Sequence, residues 1–322
     1  TLKGYNIYAP DGTRVSVPYS EPHSVILERR IFDKYLAIKA AKAGAEVQVR
    51  TYVTGLVKED GAIKGVRLKY FDETYDVECN VVVGADGIEG KVGRWAGINT
   101  RTRFVEMTPN VQFELVGIDL EYPDVMEFYF GSNVAPHGYV WIFPKGEDVA
   151  NVGLGSRSPN RTPLEYLKRF IESKEGLKKG GVIEVNAGGV PVQGPIEKSV
   201  TDNVLLVGDS ARQIDPLSGG GILNAIHCGI IAGEVLKEAV EMNDFSESFL
   251  MKYEDRWRED VGKGLMHSLK VKDGFVKMSD EELNMIGKAM RGLKLGNIDI
   301  KDMGQAILKM PPEILMFIQS LL

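Results

Sequence analysis

An aspartate and a glycine cluster near residue 210 are the strongest candidates for ligand-binding chemistry in this sequence. The apolar run at residues 204–207 predicts a short strand that is buried on both faces, and Gly208 and Asp209 follow it directly. In α/β folds, ligands bind at the carboxyl ends of the strands, and such a strand would deliver Asp209 to that edge. A carboxylate in this position can accept hydrogen bonds from ribose or ribityl hydroxyl groups.

The segment that follows Asp209 adds groups suited to an anion. It opens a long helix that reaches about residue 241, and its candidate ligand-binding residues are Pro216, Gly219, Gly220, Gly221 and Ile222. Glycines let the backbone approach a ligand closely, and a helix N-terminus presents free N–H groups and the positive end of the helix dipole. Such a terminus suits a pyrophosphate, and it equally suits the negative charge near N1 of a reduced flavin. The competing interpretation is a plain strand-turn-helix in which the aspartate only caps the turn.

A second predicted strand end has the same character. The apolar run at residues 81–83 is followed by Gly84, Asp86 and Gly87, and a short helix is predicted from residue 91. One small-Asp-Gly turn is only moderately specific. Two buried strands that each end in a turn with an aspartate favour a shared ligand over two unrelated turns.

The third candidate is a set of aromatic residues that alternate along a predicted strand. Tyr139, Trp141 and Phe143 project from one face of this strand, and Pro144 follows them. Three rings on one face form a flat apolar wall, which suits a long hydrocarbon. The alternative is the aromatic stripe of an ordinary core.

These candidates must be positioned by a mixed α/β fold whose ligand-binding half is interrupted. Residues 103–156 lack helical periodicity, and they contain four strand-like runs, at 110–117, 125–130, 139–143 and 149–154. The other predicted elements are a hairpin within 5–28, a helix over 30–43, a strand over 45–50, an alternating meander over 53–58, 63–71 and 75–79, a helix around 163–173, a strand over 182–187 and several helices after 245. We therefore predict a binding domain (1–100), an inserted antiparallel substrate sheet (101–190), the continuation of the binding domain (191–243) and a helical C-terminal region (244–322).

The two strand-end turns that contain Asp86 and Asp209, with an antiparallel insertion between them, resemble the p-hydroxybenzoate-hydroxylase-like class of FAD enzymes from residue 24 to about 240. Residues 29–33 look like the Arg-x-x-Phe-Asp segment of that class, which implies that Arg29 lies beside FAD, with the adjacent Arg30 as its rival. The resemblance also implies that the backbone of Val53 meets the adenine. Residues 136–144 are similar to the Pro-x-x-Tyr-x-Trp-x-Phe-Pro motif of the geranylgeranyl reductases.

The resemblance to geranylgeranyl reductases implies an enzyme that uses reduced FAD to saturate double bonds of a geranylgeranyl chain, on an ether lipid of archaeal type. FAD monooxygenases and halogenases share the fold and are the first alternative. A cofactor-free fragment is the second, because the Gly-x-Gly-x-x-Gly segment of the class is not found and is expected before Thr1. The electron donor leaves no signature in the sequence.

Composition narrows the remaining partners and the compartment. The net charge of −6 argues against a nucleic-acid partner. Cys79 and Cys228 are too few for a disulfide framework, which favours a reducing cytoplasm, and no Cys or His spacing predicts a metal site. The apolar segment at residues 303–322 predicts either peripheral contact with a membrane or packing onto its own domain.

Overall fold

The computed structural model of the protein describes residues 1–21 and 24–291. Its strands are β1 (Gly4–Tyr8), β2 (Arg14–Pro18), β3 (Thr51–Glu59), β4 (Ala62–Tyr70), β5 (Glu73–Glu78), β6 (Val82–Gly84), β7 (Met107–Val116), β8 (Val125–Tyr129), β9 (Tyr139–Pro144), β10 (Val149–Gly155), β11 (Gly181–Pro191), β12 (Val200–Thr201) and β13 (Val204–Leu206). Its α-helices are α1 (Arg29–Lys42), α2 (Val92–Trp95), α3 (Pro163–Glu172), α4 (Glu175–Lys178), α5 (Ile222–Met242), α6 (Glu247–Trp257), α7 (Lys263–Phe275) and α8 (Asp280–Met290).

The chain divides into two compact units, and each is built from separate stretches of sequence. Among the described residues, the first unit contains Thr1–Glu28, Thr108–Val190 and the segment from Asp273. The second unit contains Arg29–Met107 and Pro191–Lys272. The fold is thus of the mixed α/β class. The sequence of the second unit is interrupted by Thr108–Val190 of the first unit.

A seven-stranded sheet, in the order β11-β7-β10-β9-β8-β1-β2, forms the centre of the first unit. The four strands predicted between residues 110 and 154 appear as β7, β8, β9 and β10. Strand β1 joins this sheet by pairing in parallel with β8. The hairpin β1–β2 therefore belongs to the sheet unit, whereas the sequence analysis grouped residues 1–100 with the binding domain.

One face of the seven-stranded sheet carries the core of the first unit. Val140, Ile142 and Val152 point to this face and are at most 3% exposed. Helix α3 covers it with Tyr166, Leu167 and Phe170. A capping box fixes the start of α3, because Thr162 accepts from the Glu165 N–H and the Glu165 carboxylate accepts in return.

A polar cluster interrupts this covered face. Glu127 is 6% exposed, and its carboxylate accepts hydrogen bonds from the hydroxyls of Tyr8 (2.7 Å) and Tyr129 (3.3 Å). The Lys174 ammonium lies 4.3 Å from the Tyr129 ring centroid. Burial raises the pKa of Glu127 and lowers the pKa of Lys174, because both charged forms lose hydration.

The second unit contains two small sheets. Strands β12, β13 and β6 form one, in which β13 and β6 are parallel, and β3, β4 and β5 form an antiparallel meander. Gly84 is the last residue of β6, and a Cβ at this position would lie 2.5 Å from the Leu206 side chain and 3.0 Å from the Val92 side chain. The glycine therefore leaves room for these two side chains at the strand end.

Helix α1 matches the helix predicted over 30–43, and Gly44, with φ +98°, follows its last turn as expected for a helix C-terminus. The strand predicted over 45–50 is wrong, because these residues belong to no β-ladder. A strand needs a neighbour for its backbone hydrogen bonds, and the described strands offer none beside this segment.

Helices α6, α7 and α8 confirm the helical character of the region after residue 244. Ser279 caps α8 through a capping box with Glu282 and so fixes the start of this helix. The apolar segment at 303–322 lies outside the described residues. None of the helices in residues 1–21 and 24–291 is long and apolar enough to cross a bilayer.

Candidate functional site

The two predicted turns, which contain Asp86 and Asp209, meet at one edge of the second unit. Strands β6 and β13 run in parallel, with Leu206 opposite Gly84, so that both turns leave the same edge of the sheet. The Val207 N–H donates to the Gly84 carbonyl at 2.9 Å. Beyond the strands, the Ser210 hydroxyl donates to Asp86 Oδ1 at 3.0 Å and links the two turns directly.

The carboxylate of Asp86 organises its own turn. Its Oδ2 accepts hydrogen bonds from the backbone N–H groups of Lys91 (2.6 Å) and Val92 (3.0 Å) at the start of α2. Its Oδ1 accepts from Ser210, as described above. Gly87 follows with φ +74°, a conformation that favours glycine. Asp86 therefore shapes the strand end, and its predicted contact with a cofactor stays a prediction.

Asp209 has the same position on the neighbouring strand but a different environment. It is half-buried, and no donor in the described part of the chain hydrogen-bonds to its carboxylate. Burial raises the pKa of Asp209 above the ordinary aspartate value, and the positive charge of Arg29 opposes that rise. A half-buried carboxylate with unused acceptor sites is suited to a ligand that brings hydroxyl donors.

Arg29 begins α1, and its side chain is fixed by Asp33 one turn later. The guanidinium donates from Nε and Nη2 to the two carboxylate oxygens of Asp33, both at 3.1 Å. Both side chains are more than half exposed, so the pair contributes little to stability. The positive charge of Arg29 acts on the Asp209 carboxylate, and the contact of Arg29 with FAD that the resemblance implied stays a prediction.

Asp215 organises the glycine-rich loop between Asp209 and α5, although the sequence analysis did not select it. Its Oδ1 accepts from the backbone N–H groups of Leu217 (3.0 Å) and Ser218 (2.7 Å). Its own N–H donates to the Gly220 carbonyl at 2.9 Å, and its carbonyl accepts from Gly219 at 2.8 Å. The cluster predicted from glycine and proline alone is therefore a loop built around one aspartate.

Helix α5 starts at this loop without a side-chain cap. Gly221 occupies the N-cap position, and no side chain accepts a hydrogen bond from the first turn. A Cβ on Gly221 would lie 3.2 Å from Asp209 Oδ1, so the loop passes beside that carboxylate. Uncapped N–H groups and a carboxylate with unused acceptor sites thus lie next to each other.

An open pocket lies beyond the ends of β6 and β13, where the two turns meet. Asp86, Asp209, Ser210 and Arg212 line it, together with the glycines of the Asp86 turn. Burial lowers the pKa of the Arg212 guanidinium, whose Nη2 donates to the carbonyl of Arg101. The pocket therefore combines hydrogen-bond acceptors with a partly desolvated cation.

The aromatic residues of β9 lie on the face of the seven-stranded sheet opposite to the core. Tyr139, Trp141 and Phe143 are half-buried and belong to none of the core clusters of the described residues, whereas the intervening Val140 and Ile142 are buried in the core. The rings contact one another along the strand, with centroids 5.9 and 6.0 Å apart. Among the described residues, the three rings therefore lie outside the buried core of the first unit, and their contact with a substrate stays a prediction.

Gly153 on β10 makes room for the indole of Trp141, a requirement that the sequence alone does not reveal. The two residues are directly opposite each other in the β9–β10 pair, and a Cβ on Gly153 would lie 2.5 Å from the indole ring. On the next strand, Gln112 Oε1 accepts a hydrogen bond from the indole N–H at 3.0 Å. Pro144 ends β9 on the buried face.

Comparison with known proteins decides the family. A family model described as the geranylgeranyl reductase catalytic domain matches residues 106–190. A digeranylgeranylglycerophospholipid reductase of Methanothrix thermoacetophila is 45% identical, and the match covers 98% of this chain and 81% of the relative. Another, of Methanocaldococcus jannaschii, is 44% identical over 100% of this chain and 82% of the relative. This chain belongs to the digeranylgeranylglycerophospholipid reductase family.

Solved structures agree with this family. A geranylgeranyl bacteriochlorophyll reductase-like protein of Thermoplasma acidophilum superimposes with a TM-score of 0.91 at 37% identity, covering 100% of this chain and 83% of that one. The flavin-dependent brominase Bmp2 superimposes with a TM-score of 0.72 at 17% identity, covering 99% and 81%, and it shows the fold alone. The family resemblance and the Rossmann-like flavoprotein fold expected from the sequence are thus confirmed.

Within this reductase family member, the matched catalytic domain coincides with strands β7 to β11 and therefore contains the aromatic face. Val53 lies in β3 beside a register shift, and its predicted contact with the adenine stays a prediction. His137 is exposed, with its Nδ1 3.1 Å from the Val276 carbonyl. Among residues 1–21 and 24–291, no group of three or more potential ligands could hold a metal ion.

Proposed function

We propose that this chain is an FAD-dependent reductase that saturates carbon–carbon double bonds in the geranylgeranyl chains of archaeal-type ether lipids. The observation that carries the proposal is the aromatic face of β9, which lies outside the core and inside the matched catalytic domain. The relatives named above, which align with nearly the whole chain, support the same substrate class.

The residues at the joined strand ends fit FAD. The Asp209 carboxylate has unused acceptor sites for ribityl or ribose hydroxyls. The uncapped N-terminus of α5 offers N–H groups to the pyrophosphate or to the reduced ring system, and Gly219, Gly220 and Ile222 surround that terminus. Arg29 supplies a positive charge near the same carboxylate. Pro216 is buried and holds the loop that leads to these groups.

Reduced FAD, when bound, supplies a hydride equivalent to one alkene carbon, and a proton completes the reduction at the other. The chain's own task is to bind the prenyl chain, to orient it and to exclude water. Tyr139, Trp141 and Phe143 contribute large, rigid apolar surfaces with little conformational entropy to lose. The hydrogen bond from Trp141 to Gln112 fixes the orientation of the central ring.

The test is an anaerobic single-turnover experiment. The flavin-loaded protein is reduced chemically and mixed with a digeranylgeranyl glycerophospholipid, and the lipid is weighed by mass spectrometry. We expect a gain of two hydrogens for each double bond reduced, together with reoxidation of the flavin. An unchanged lipid, alongside oxygen-dependent hydroxylation or halogenation of another substrate, would place the protein with the oxygen-using enzymes of the same fold.

The remaining partners follow from this proposal. An external reductant must regenerate the reduced flavin, and the sequence gives it no distinguishing motif. We also propose a cytoplasmic enzyme that meets its lipid at the inner face of the membrane. The segment expected to make that contact, residues 303–322, lies outside the described residues.

A further inference from the structure

The aromatic surface of the first unit extends well beyond the strand that carries the sequence motif. Phe128 on β8 lies directly opposite Trp141, and its ring centroid is 5.7 Å from those of both Tyr139 and Phe143. Tyr5 on β1 continues the surface, 6.1 Å from Phe128. The rings therefore cross three neighbouring strands in unbroken contact.

These additional rings lie on the same side of the sheet as the motif. The register pairs Ile7 with Phe128 and Tyr5 with Met126, so alternate residues of β1 and β8 share the face of Trp141. Phe128 and Tyr5 are half-buried and belong to none of the core clusters of the described residues. They are therefore not accounted for by packing of the unit's own core.

The other half of the same face is polar. On β7 and β10, Gln112, Glu114 and Asn151 occupy the positions that β8 and β9 fill with rings. Glu114 forms an ion pair with Lys145 at 2.7 Å, and the Asn151 side-chain oxygen is buried without a hydrogen-bond partner. A hydrocarbon placed over these groups would cover polar atoms and gain little, whereas over the rings of β8 and β9 it would bury apolar surface.

From this division we infer that the prenyl chain lies across the strands, running from β9 over β8 to β1 and away from β10 and β7. Phe128 and Tyr5 then hold the isoprene units remote from the reacting double bond and determine the selectivity for long prenyl chains. This inference rests on the proposed function. It adds a direction for the hydrocarbon and two residues outside the sequence motif.

Photo-crosslinking tests the direction without relying on turnover. The probe is a geranylgeranyl glycerol ether with a diazirine on the terminal isoprene unit, irradiated with the flavin-loaded protein and mapped by peptide mass spectrometry. We expect labelling of the segments that contain β8 or β1, suppressed by unlabelled geranylgeranyl lipid. Labelling concentrated on β7 or β10, or spread evenly over both halves, overturns the inference.

Substitution tests the role in selectivity. We expect Tyr5→Ala to lower kcat/KM for a geranylgeranyl substrate by about tenfold and for a geranyl substrate by less than about twofold, because the shorter chain does not reach β1. Tyr5→Phe should restore the long-chain activity, since the ring rather than the hydroxyl makes the contact. Tyr75→Ala, on β5 of the second unit, is the matched control for loss of a tyrosine ring.

The outcomes separate the two proposals. If the wild-type protein reduces prenyl chains but Tyr5→Ala lowers both substrates equally, the direction across the strands is wrong and the function stands. If the wild-type protein reduces no prenyl chain and shows no competable labelling, both are wrong. Flavin content, measured for every variant, shows whether the second unit has stayed intact.

Discussion

Asp86 and Asp209 end neighbouring parallel strands, yet the structure gives their carboxylates different tasks. Asp86 uses both oxygens on Ser210 and on the first turn of α2. The Asp209 carboxylate accepts from no donor in the described chain, and its pKa is raised. At the scale of single residues, one aspartate therefore builds the site and the other is available to a ligand.

This difference predicts that flavin binding depends on Asp209 and on its charge. Asp209→Ala should weaken FAD affinity by about tenfold or more, because a hydrogen bond to a charged acceptor contributes roughly 1.5–3 kcal/mol. Since the pKa of Asp209 is raised, its carboxylate protonates at a higher pH than an ordinary aspartate. Wild-type affinity should therefore fall as the pH is lowered toward that pKa, and the variant should lack this dependence.

Quenching of flavin fluorescence, measured from pH 4 to pH 8, checks both statements. Asp72→Ala, in the exposed turn after β4, is a matched control in the same unit. Equal affinity of Asp209→Ala and wild type, or parallel pH profiles, would remove Asp209 from the cofactor site.

Residue patterns predicted the two strand ends but not the difference between them. A short apolar run followed by Gly and Asp is a local signal, and it correctly indicated where the turns meet. Whether the oxygens of a carboxylate already accept hydrogen bonds within the protein depends on donors such as Ser210, which lies far from Asp86 in the chain. For the same reason, the sequence did not reveal the hydrogen bonds of Tyr253. Its hydroxyl donates to the Leu206 carbonyl at 2.9 Å and accepts from Gln213 at 2.8 Å.

At the scale of secondary-structure elements, hydrophobic alternation was sufficient to locate β7 to β10, because one face of each strand is in the core. It could not assign the hairpin β1–β2 to the same sheet, since the parallel pairing of β1 with β8 joins distant segments. The sequence also predicted a strand over 45–50, and the structure has none there. Strands require partners, and a single segment does not reveal whether its partner exists.

The hairpin β9–β10 gives a prediction at this scale. Gly153→Ala should displace the Trp141 indole, because the new Cβ would lie 2.5 Å from the ring and 2.8 Å from the Val111 carbonyl. We expect turnover of prenyl lipid to fall by at least about tenfold while flavin affinity is unchanged. Gly146→Ala, in the turn of the same hairpin with no neighbour within 4 Å of the added Cβ, is the control.

Steady-state kinetics and flavin titration of the two variants provide the measurement. A Gly153→Ala protein with normal prenyl turnover would show that the position of the indole does not matter. A parallel loss of flavin affinity would indicate general damage to the fold. The loss of turnover would then not support a specific role of the aromatic face in binding the prenyl chain.

At the scale of the whole molecule, the pH dependence of the free energy of unfolding reports on titratable groups outside the candidate ligand-binding residues. Glu127 is buried with a raised pKa, and Asp11 is exposed with its pKa lowered to about 2 by Lys288 and Thr13. A raised folded-state pKa means that the folded protein binds the proton more tightly than the unfolded chain. The contribution of Glu127 to stability is then complete below the unfolded pKa and is lost as the pH rises through the folded pKa.

Glu127→Gln should therefore remove a pH dependence from the free energy of unfolding. Glutamine keeps an acceptor for the Tyr8 and Tyr129 hydroxyls but carries no charge to desolvate. The stability of the variant minus that of wild type should rise as the pH increases from about 4 through the raised folded-state pKa, where wild type must ionise a buried carboxyl. Urea unfolding at a series of pH values measures this difference. Asp11→Asn should show the opposite pH dependence in a lower pH range. This variant should be less stable than wild type above the unfolded pKa of Asp11, and the difference should vanish as the pH falls through the lowered folded-state pKa. A flat difference for Glu127→Gln would mean that water or Lys174 already compensates the buried charge.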